Sequence, residues 1–188
     1  MVKGVDALLI EDNLSDAQLF HELLTSSELM KTTLYHAERF NEAIQTLEAN
    51  NNFDVVLLDL CLPDGQGIEL LKQIKTLAPK IPVVVLSGIQ DQNVALAALQ
   101  EGAQDYLVKS DTFSPERLQR FGYVDVGNLL AKTIQYAIER TELTKKLKIS
   151  EERYALAVQG ANDGIWDWDL RVNKICYSHR WQTMLGLN

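Results

Sequence analysis

The sequence predicts an α/β domain in which a parallel five-stranded sheet is covered by helices on both faces. The first observation is the stretch 53–58, which is apolar except for Asp54, shows no alternation at 55–58 and is followed by Asp59 and a Pro-Asp-Gly turn at 63–65. This pattern is typical of a strand buried on both faces, as in parallel sheets covered by helices. The second observation is that short apolar runs alternate with helix patterns along the first 110 residues, which is the order of repeated βα units.

The elements follow one another in a regular order. The first helix pattern begins at Ser15, which forms a capping box with Gln18. Pro82 is tolerable because it stands at the beginning of the fourth strand, and Gly102 is placed to end the fourth helix. The strands are predicted at 5–10, 32–37, 53–58, 81–86 and 105–109, and the helices between them at 15–24, 40–47, 68–77 and 92–100.

The composition allows a packed core and predicts a cytoplasmic protein. Of the 188 residues, 46% are hydrophobic, which is enough for a core. No apolar run approaches the roughly 20 residues of a membrane span, and the first residues lack the long apolar segment of a signal peptide. We therefore expect no membrane association. Cys61 and Cys176 form no Cys-x-x-Cys pair, so we also expect reduced thiols and no zinc site.

The charge of the chain is unevenly distributed. Residues 1–111 carry 17 acidic against 7 basic side chains, whereas residues 112–188 carry 9 against 11. Phosphate backbones are bound by stripes of Lys and Arg. We therefore expect no nucleic-acid binding by this chain, and we expect that a phosphoryl group handled by its acidic part needs a cation.

Polar side chains follow four of the predicted strands. Glu11 and Asp12 come after the first strand, Asp59 after the third and Ser87 after the fourth, while Lys109 ends the fifth. Ligands of parallel sheets bind at the carboxyl ends of the strands, which lie at one edge. Adjacent carboxylates repel each other unless a hard cation or a base lies between them. Alone, the acidic pair fits a solvated loop equally well, but together the five residues predict a site.

These fragments together resemble a response-regulator receiver domain of two-component signalling over residues 5–109. They are the acidic pair 11–12, the segment Leu-Leu-Asp-Leu-x-Leu-Pro-Asp-Gly around Asp59, Ser87-Gly88 and Tyr106-Leu-Val-Lys109. Each fragment is weak by itself, and their order at the right strand ends makes the resemblance specific. The resemblance implies a flavodoxin-like sheet with strand order 2-1-3-4-5 and a receiver domain over 1–140.

The resemblance implies a phospho-acceptor and a switch. Asp59 would take a phosphoryl group from a phosphohistidine on a sensor histidine kinase or a phosphotransfer protein. Lys109 would neutralise the phosphoryl oxygens. Ser87 would move to hydrogen-bond one of these oxygens, and Tyr106 would fill the space that it leaves. In the alternative reading, Tyr106 only packs and Ser87 only caps a strand end.

The resemblance also implies a magnesium site. Mg²⁺ would be held by Asp12, Asp59 and the backbone carbonyl of Cys61, with Glu11 acting mainly through water. An oxygen cage that leaves several waters on the ion suits this small, hard cation. Asp64 is interpreted as a residue of the Pro-Asp-Gly turn and not as a ligand.

The chain departs from the receiver pattern after Lys109. Receivers commonly carry a proline at the next position, whereas this chain has Ser110, which leaves the geometry of the Lys109-Ser110 bond open. The segment at about 110–127 is longer than the usual connection to the fifth helix. Ser114-Pro115-Glu116 reads as a helix start, so we expect one or two extra helical turns in this insert.

A helical pattern continues from residue 129 for about 30 residues without proline or glycine. Its first part is expected to be the fifth helix of the receiver, and 141–153 is expected to be a helical linker. A spacing of alternating four and three residues favours a weak parallel coiled coil and hence a homodimer. A single solvated helix is the alternative. The seam positions are Tyr136, Arg140, Leu143, Leu147, Ser150, Tyr154 and Ala157.

The last segment, 154–188, reads as helix, strand, Arg-Val-Asn-Lys turn, strand and helix start. Alternation at 165–169 favours an antiparallel hairpin. The segment resembles the opening of a PAS domain, and its short length suggests a fragment of one. A two-stranded hairpin cannot bury three tryptophans alone, and no sensory cofactor is assigned to it.

The sequence therefore predicts a phospho-accepting response regulator whose visible part is regulatory and not an enzyme. The order of modules matches regulators that continue into a cyclic-di-GMP enzyme or a histidine kinase, which would be the missing effector. A receiver-fold scaffold that dimerises without phosphorylation is the main alternative, and its expected mark would be a lost acid or lysine. A phosphatase of the Asp-x-Asp type would need a second acid where Cys61 stands.

Overall fold

The computed structural model describes residues 4–50, 52–88, 90–161 and 164–186. The chain divides into two compact units, Met1–Glu142 and Leu143–Asn188. Within the described residues, none of the helices combines the length and the apolar character that crossing a bilayer requires.

The first unit contains the predicted parallel sheet. Its strands are β1 (Val5–Ile10), β2 (Thr32–Ala37), β3 (Val55–Leu58), β4 (Cys61–Leu62), β5 (Gly65–Gln66), β6 (Val83–Ser87) and β7 (Asp105–Val108). The sheet order is β2-β1-β3-β6-β7, and every neighbouring pair is parallel. Counted along the chain, the five sheet strands take the order 2-1-3-4-5, so the predicted fold class is confirmed. The short strands β4 and β5 form a separate antiparallel pair after β3.

In the described part of the first unit, four helices connect the strands of the sheet and two more follow its last strand. They are α1 (Leu14–Ser26), α2 (Phe40–Ala49), α3 (Ile68–Leu77), α4 (Gln92–Gln100), α5 (Lys109–Thr112) and α6 (Pro115–Ala161), and the part of α6 up to Glu142 belongs to the first unit. Each crossover helix of a parallel sheet lies on one of its faces. The carboxyl ends of the strands are thus left uncovered for the side chains that follow them.

Two apolar clusters cover the two faces of the sheet. Because side chains alternate along a strand, Val56 and Leu58 pack with α2, α3 and α4, whereas Val55 and Leu57 pack with α1 and α6. All four residues of β3 are fully buried. The unbroken apolar run that predicted this strand therefore reflects helices on both of its sides.

The predicted capping box at Ser15 is wrong. Asn13 is the N-cap of α1, since its Oδ1 accepts hydrogen bonds from the backbone N–H groups of Ser15 (2.9 Å) and Asp16 (3.3 Å). The asparagine directly after the acidic pair already satisfies these amides. Ser15 consequently lies inside the first turn of the helix.

The insert after Lys109 is helical, as expected. It contains the short helix α5 and the first turns of α6, which are capped by Ser114 through a 3.3 Å bond from the N–H of Arg117 to its Oγ. Gly122 interrupts α6 with φ of 79°, a conformation that glycine adopts without strain. The insert is anchored by Phe113, which is 4% exposed and packs edge-to-face on Phe20 at 5.1 Å between ring centroids.

The helix α6 lies close to α1 in the first unit. A side chain at Gly127 would clash with the backbone carbonyl of Leu23. Next to it, Asn128 Oδ1 accepts hydrogen bonds from Ser27 Oγ (2.9 Å) and from the N–H of Glu28 (3.2 Å). The glycine and the asparagine thus fix the position of α6 against the end of α1.

The second unit contains a hairpin where the alternating pattern predicts one. Strands β8 (Trp166–Asp169) and β9 (Lys174–Tyr177) pair antiparallel, and helix α7 (His179–Met184) follows. Ser178 caps α7 and also accepts a hydrogen bond from the N–H of Ile165 at 3.0 Å. Trp166 and Trp168 are about half exposed, which agrees with the expectation that this hairpin cannot bury its tryptophans. Asn162 and Asp163 of this segment lie outside the described residues.

We predict that Phe113→Ala lowers the free energy of unfolding by about 3 kcal/mol, because it leaves a cavity beside Phe20. The measurement is urea-induced unfolding followed by circular dichroism. The control Phe121→Ala removes the same side chain from a position that is 46% exposed, and its cost should stay below about 1 kcal/mol. Equal losses for the two variants would show that the insert is not anchored through Phe113.

Candidate functional site

The candidate site lies at the carboxyl edge of the sheet, where the strands deliver their polar residues. Glu11 follows β1, Asp59 follows β3, Ser87 ends β6 and Lys109 follows β7. The hydrogen bonding between β1 and β3 extends to the first residue of the site. The N–H of Asp59 donates to the carbonyl of Ile10 at 3.0 Å. Asp59 therefore directly follows a strand that is buried on both faces.

Glu11 is held from two sides by its backbone. Its N–H donates to the carbonyl of Ala37 (3.0 Å), and its own carbonyl oxygen lies 2.7 Å from Nε2 of His36. Its side chain is fully buried, whereas that of the neighbouring Asp12 is exposed. Two adjacent acids are thus placed in different environments, one inside the edge of the sheet and one at its surface.

The ammonium of Lys109 lies among three carboxylates. Its Nζ is 2.5 Å from Glu11 Oε2, 2.6 Å from Asp59 Oδ2 and 3.0 Å from Asp16 Oδ2. The lysine side chain is only 14% exposed. A buried charge is stable only when it is paired and hydrogen-bonded, and each of these contacts supplies both.

The buried charges have shifted proton affinities. Burial raises the pKa of Glu11 to about 7, against the lowering effect of its hydrogen bond to Lys109. Burial alone would lower the pKa of Lys109, but its hydrogen bonds to Asp59 and Glu11 raise it. Lys109 consequently remains charged at neutral pH. The pKa of Glu11, in contrast, lies close to neutral pH.

Carboxylate oxygens of Glu11, Asp12 and Asp59 lie within 4.8 Å of one another, close enough to bind one metal ion. They are hard oxygen donors, which suit Mg²⁺. The second oxygen of Asp59 is held by the N–H of Cys61 at 3.0 Å. The backbone of Cys61 therefore lies directly beside this acidic cluster.

Ser87 and Tyr106 lie on neighbouring strands. Ser87 is fully buried and pairs in register with Val108, the residue before Lys109. Tyr106 is partly buried and packs against the apolar cluster on the side of α4. Both residues are therefore close in the fold to the lysine.

The position after Lys109 adopts a helical turn. Lys109 and Ser110 begin α5, and the described residues contain no cis peptide bond. Gln90 Nε2 donates to Ser110 Oγ (2.9 Å) and to Asp111 Oδ1 (2.6 Å). The loop after Ser87 is thus tied to the helix that follows the lysine.

Two acidic residues of this edge were missed or underrated by sequence reasoning. Asp16 was not singled out, although it lies in the first turn of α1, four residues after Asp12. Asp64 was interpreted as a turn residue, but its two oxygens accept the N–H groups of Phe40 (2.9 Å) and Asn41 (3.0 Å) at the start of α2. These hydrogen bonds lower the pKa of Asp64, and no pattern within the sequence relates residues that lie 23 positions apart.

Comparison with known proteins identifies the first unit. The family model described as the response regulator receiver domain matches residues 7–120. The two-component response regulator ORR3 of Oryza sativa subsp. indica is 33% identical over 104 residues, which are 54% of this chain and 77% of that protein. The transcriptional regulatory protein ZraR of Klebsiella oxytoca is 34% identical over 116 residues, 61% of this chain, so the match spans only about a quarter of ZraR.

Solved structures show the same similarity. A response regulator receiver domain protein from Clostridium thermocellum is 28% identical, with a TM-score of 0.59 over 74% of this chain and 98% of that one. The Mn²⁺-bound response regulator Rcp1 is 28% identical, with a TM-score of 0.55 over 66% and 91% of the two chains. The phosphorylated cyanobacterial phytochrome response regulator RcpA is also 28% identical, with a TM-score of 0.55 over 68% and 91%.

We predict that, without divalent metal, Glu11 makes folding stability fall as pH rises. The folded-state pKa of about 7 exceeds the ordinary value of 4.5, so this stabilisation is complete below about pH 4.5 and lost as pH rises through about 7. In EDTA, Glu11→Gln should therefore be more stable than the parent by about 2 kcal/mol at pH 8 and nearly equal to it at pH 5.

The measurement is urea unfolding at a series of pH values. The control Glu48→Gln removes the same charge from an exposed position of α2 and should keep the parental pH dependence. A Glu11→Gln variant whose stability follows the parental pH profile would contradict the assignment.

Proposed function

The chain belongs to the response regulator receiver domain family, and from this premise we propose that Asp59 accepts a phosphoryl group from a histidine kinase or a phosphotransfer protein. The observation that carries the proposal is the 2.6 Å contact between Asp59 Oδ2 and Lys109 Nζ beside two further acids. A buried carboxylate with a permanent cation at one oxygen is poised to become an acyl phosphate. After the transfer, Lys109 would neutralise the negative charge of the phosphoryl group on Asp59.

The proposed step transfers the phosphoryl group between two side chains. An oxygen of Asp59 attacks the phosphorus of the phosphohistidine, and the new O–P bond forms as the N–P bond breaks. The donor ring, protonated on its other nitrogen, keeps the electron pair and leaves as neutral imidazole. Because such transfer depends on positioning and charge neutralisation, the contribution of this chain is to hold Asp59 and to bring Lys109 Nζ onto the phosphoryl oxygens.

We propose Mg²⁺ as the cofactor, held by Asp12 and Asp59 with the backbone carbonyl of Cys61, and with Glu11 acting mainly through water. The cluster of hard oxygen donors within 4.8 Å supports this assignment. The Mn²⁺-bound form of the similar regulator Rcp1 supports a divalent ion in this fold. When bound, the metal neutralises negative charge on the phosphoryl oxygens.

We propose that Ser87 and Tyr106 form the switch. The hydroxyl of Ser87 hydrogen-bonds a phosphoryl oxygen, and the ring of Tyr106 moves into the space that is vacated. The complete burial of Ser87 and the partial burial of Tyr106 support a paired movement. The phosphorylated state of the similar regulator RcpA supports phosphorylation itself.

The output is proposed to pass through α6. Its seam residues Tyr136, Leu143, Leu147 and Tyr154 are each about 60% exposed or more, and burying them in a parallel homodimer would be favourable. In this proposal 1–140 is the receiver, 141–153 the linker and 154–188 the beginning of a PAS domain that precedes an effector such as a cyclic-di-GMP enzyme or a histidine kinase. The proposed compartment is the cytoplasm, where a histidine kinase draws on ATP.

A scaffold that uses the receiver fold for dimerisation alone is less well supported. It would not need to keep a cluster of three carboxylates and a lysine in contact with Asp59. Both are present in this chain. The phosphorylation experiment below separates the two functions.

We predict that incubation with acetyl phosphate and Mg²⁺ adds a phosphoryl group of about 80 daltons to the intact protein. Intact mass spectrometry is the measurement. Asp59→Asn should abolish the gain because it removes the nucleophile, whereas Asp64→Asn, a matched change in the same loop, should keep it. An unchanged gain in Asp59→Asn would assign the modification to another residue.

We predict that Leu143→Glu and Leu147→Glu shift the protein towards the monomer, because each places a charge in the proposed seam. Sedimentation velocity over a range of concentrations is the measurement. The control Ile149→Glu makes a similar change outside the seam on the same helix and should leave the association unchanged. A parent protein that sediments as a monomer at all concentrations would exclude this dimer.

A further inference from the structure

Asp16 is a third carboxylate on the ammonium of Lys109. An ammonium group has three N–H donors, and the three partners of Nζ are Glu11, Asp59 and Asp16. The lysine therefore has no unused donor in this structure. A phosphoryl oxygen can reach Lys109 only by taking a donor from one of these acids.

The three acids differ in what happens to them during the proposed reaction. Asp59 gives up the charge of its attacking oxygen when it becomes an acyl phosphate, and Glu11 belongs to the cluster that suits a metal ion. Asp16 lies outside that cluster, in the first turn of α1, and its side chain is 33% exposed. Neither the proposed transfer nor a metal ion in that cluster would remove the carboxylate of Asp16 from the neighbourhood of Lys109.

Asp16 is close enough to repel a phosphoryl group. Its Oδ2 and the Oδ2 of Asp59 contact the same nitrogen at 3.0 and 2.6 Å, so the two oxygens are at most about 5.6 Å apart. This separation is below the Debye length of about 10 Å at 0.1 M salt. An incoming phosphodonor carries negative charge and therefore meets the field of Asp16.

The contact could in principle help or hinder phosphorylation, and its geometry favours hindrance. Glu11 and Asp59 already hold Nζ at shorter distances than Asp16 does. A third, longer contact on the solvent side adds little to the placement of the lysine. Its negative charge, in contrast, acts on every anion that approaches Asp59.

We propose that Asp16 is a restraining counter-ion which competes with the phosphoryl group for Lys109 and slows the phosphorylation of Asp59. This inference rests on the proposed function and deepens it. Asp16 is a positioning residue in this role, because it acts on the reaction through the lysine and through its charge. It forms no bond to the phosphoryl group.

The test is the second-order rate constant for phosphorylation by acetyl phosphate in saturating Mg²⁺, followed by intact mass at low and high salt. Asp16→Asn and Asp16→Ser remove the charge and should raise the rate constant about fivefold at ~20 mM salt and less than about twofold at ~0.5 M salt, because salt screens the repulsion. Asp16→Glu keeps the charge and should stay close to the parent. Glu48→Gln, which changes the net charge equally at a remote exposed position, should change the rate constant less than about twofold.

The outcomes separate the two proposals. If the parent is phosphorylated on Asp59 and both neutral variants react equally fast or more slowly, the proposed function stands and the restraining role is overturned. A rate increase that does not diminish with salt also overturns it, because a charge effect must be screened. If the parent itself gains no phosphoryl group, the proposed function fails, and the role of Asp16 fails with it.

Discussion

The contact between Lys109 and its three carboxylates is the interaction on which the site depends. Glu11, Asp12, Asp16 and Asp59 bring four acids to one edge of the sheet, and among the residues that the structure describes a single ammonium, that of Lys109, lies between them. Burial of such charges is unfavourable unless they are paired. The arrangement is therefore short of positive charge, and a divalent cation would relieve that deficit. This imbalance supports the proposed binding of a metal ion together with an anionic group.

The sheet makes this imbalance possible. Val55 and Leu57 face one set of helices, and Val56 and Leu58 face the other, so β3 is fixed on both sides before it reaches Asp59. Asp59 thus follows a strand that is packed between helices on both of its faces. The short strand β4 that follows supplies the N–H of Cys61, which holds the second oxygen of Asp59.

Most of the fold could be predicted from the sequence because its determinants are local. The run 55–58 shows double-sided burial directly, and Glu11, Asp59 and Lys109 stand at strand ends that a parallel sheet must bring together. The features that were missed depend on partners distant in sequence. Asp16 accepts a hydrogen bond from Lys109, which lies 93 positions later. Asp64 accepts hydrogen bonds from backbone amides of α2 that precede it by more than 20 positions. The N-cap of α1 was misassigned to Ser15 because Asn13 and Ser15 are both good capping residues, and only the backbone conformation distinguishes them.

The break at Gly122 has a consequence for how this architecture can vary. Successive residues of a helix are rotated by about 100° around its axis. An insertion upstream would therefore normally rotate every downstream side chain to a different side of the helix. The positive φ at Gly122 interrupts the regular rotation of the helix. After it, the close approach of Gly127 to α1 fixes which side of the helix faces the domain. A change in the length of residues 110–121 therefore need not rotate Tyr136 and the other residues of α6 up to Glu142.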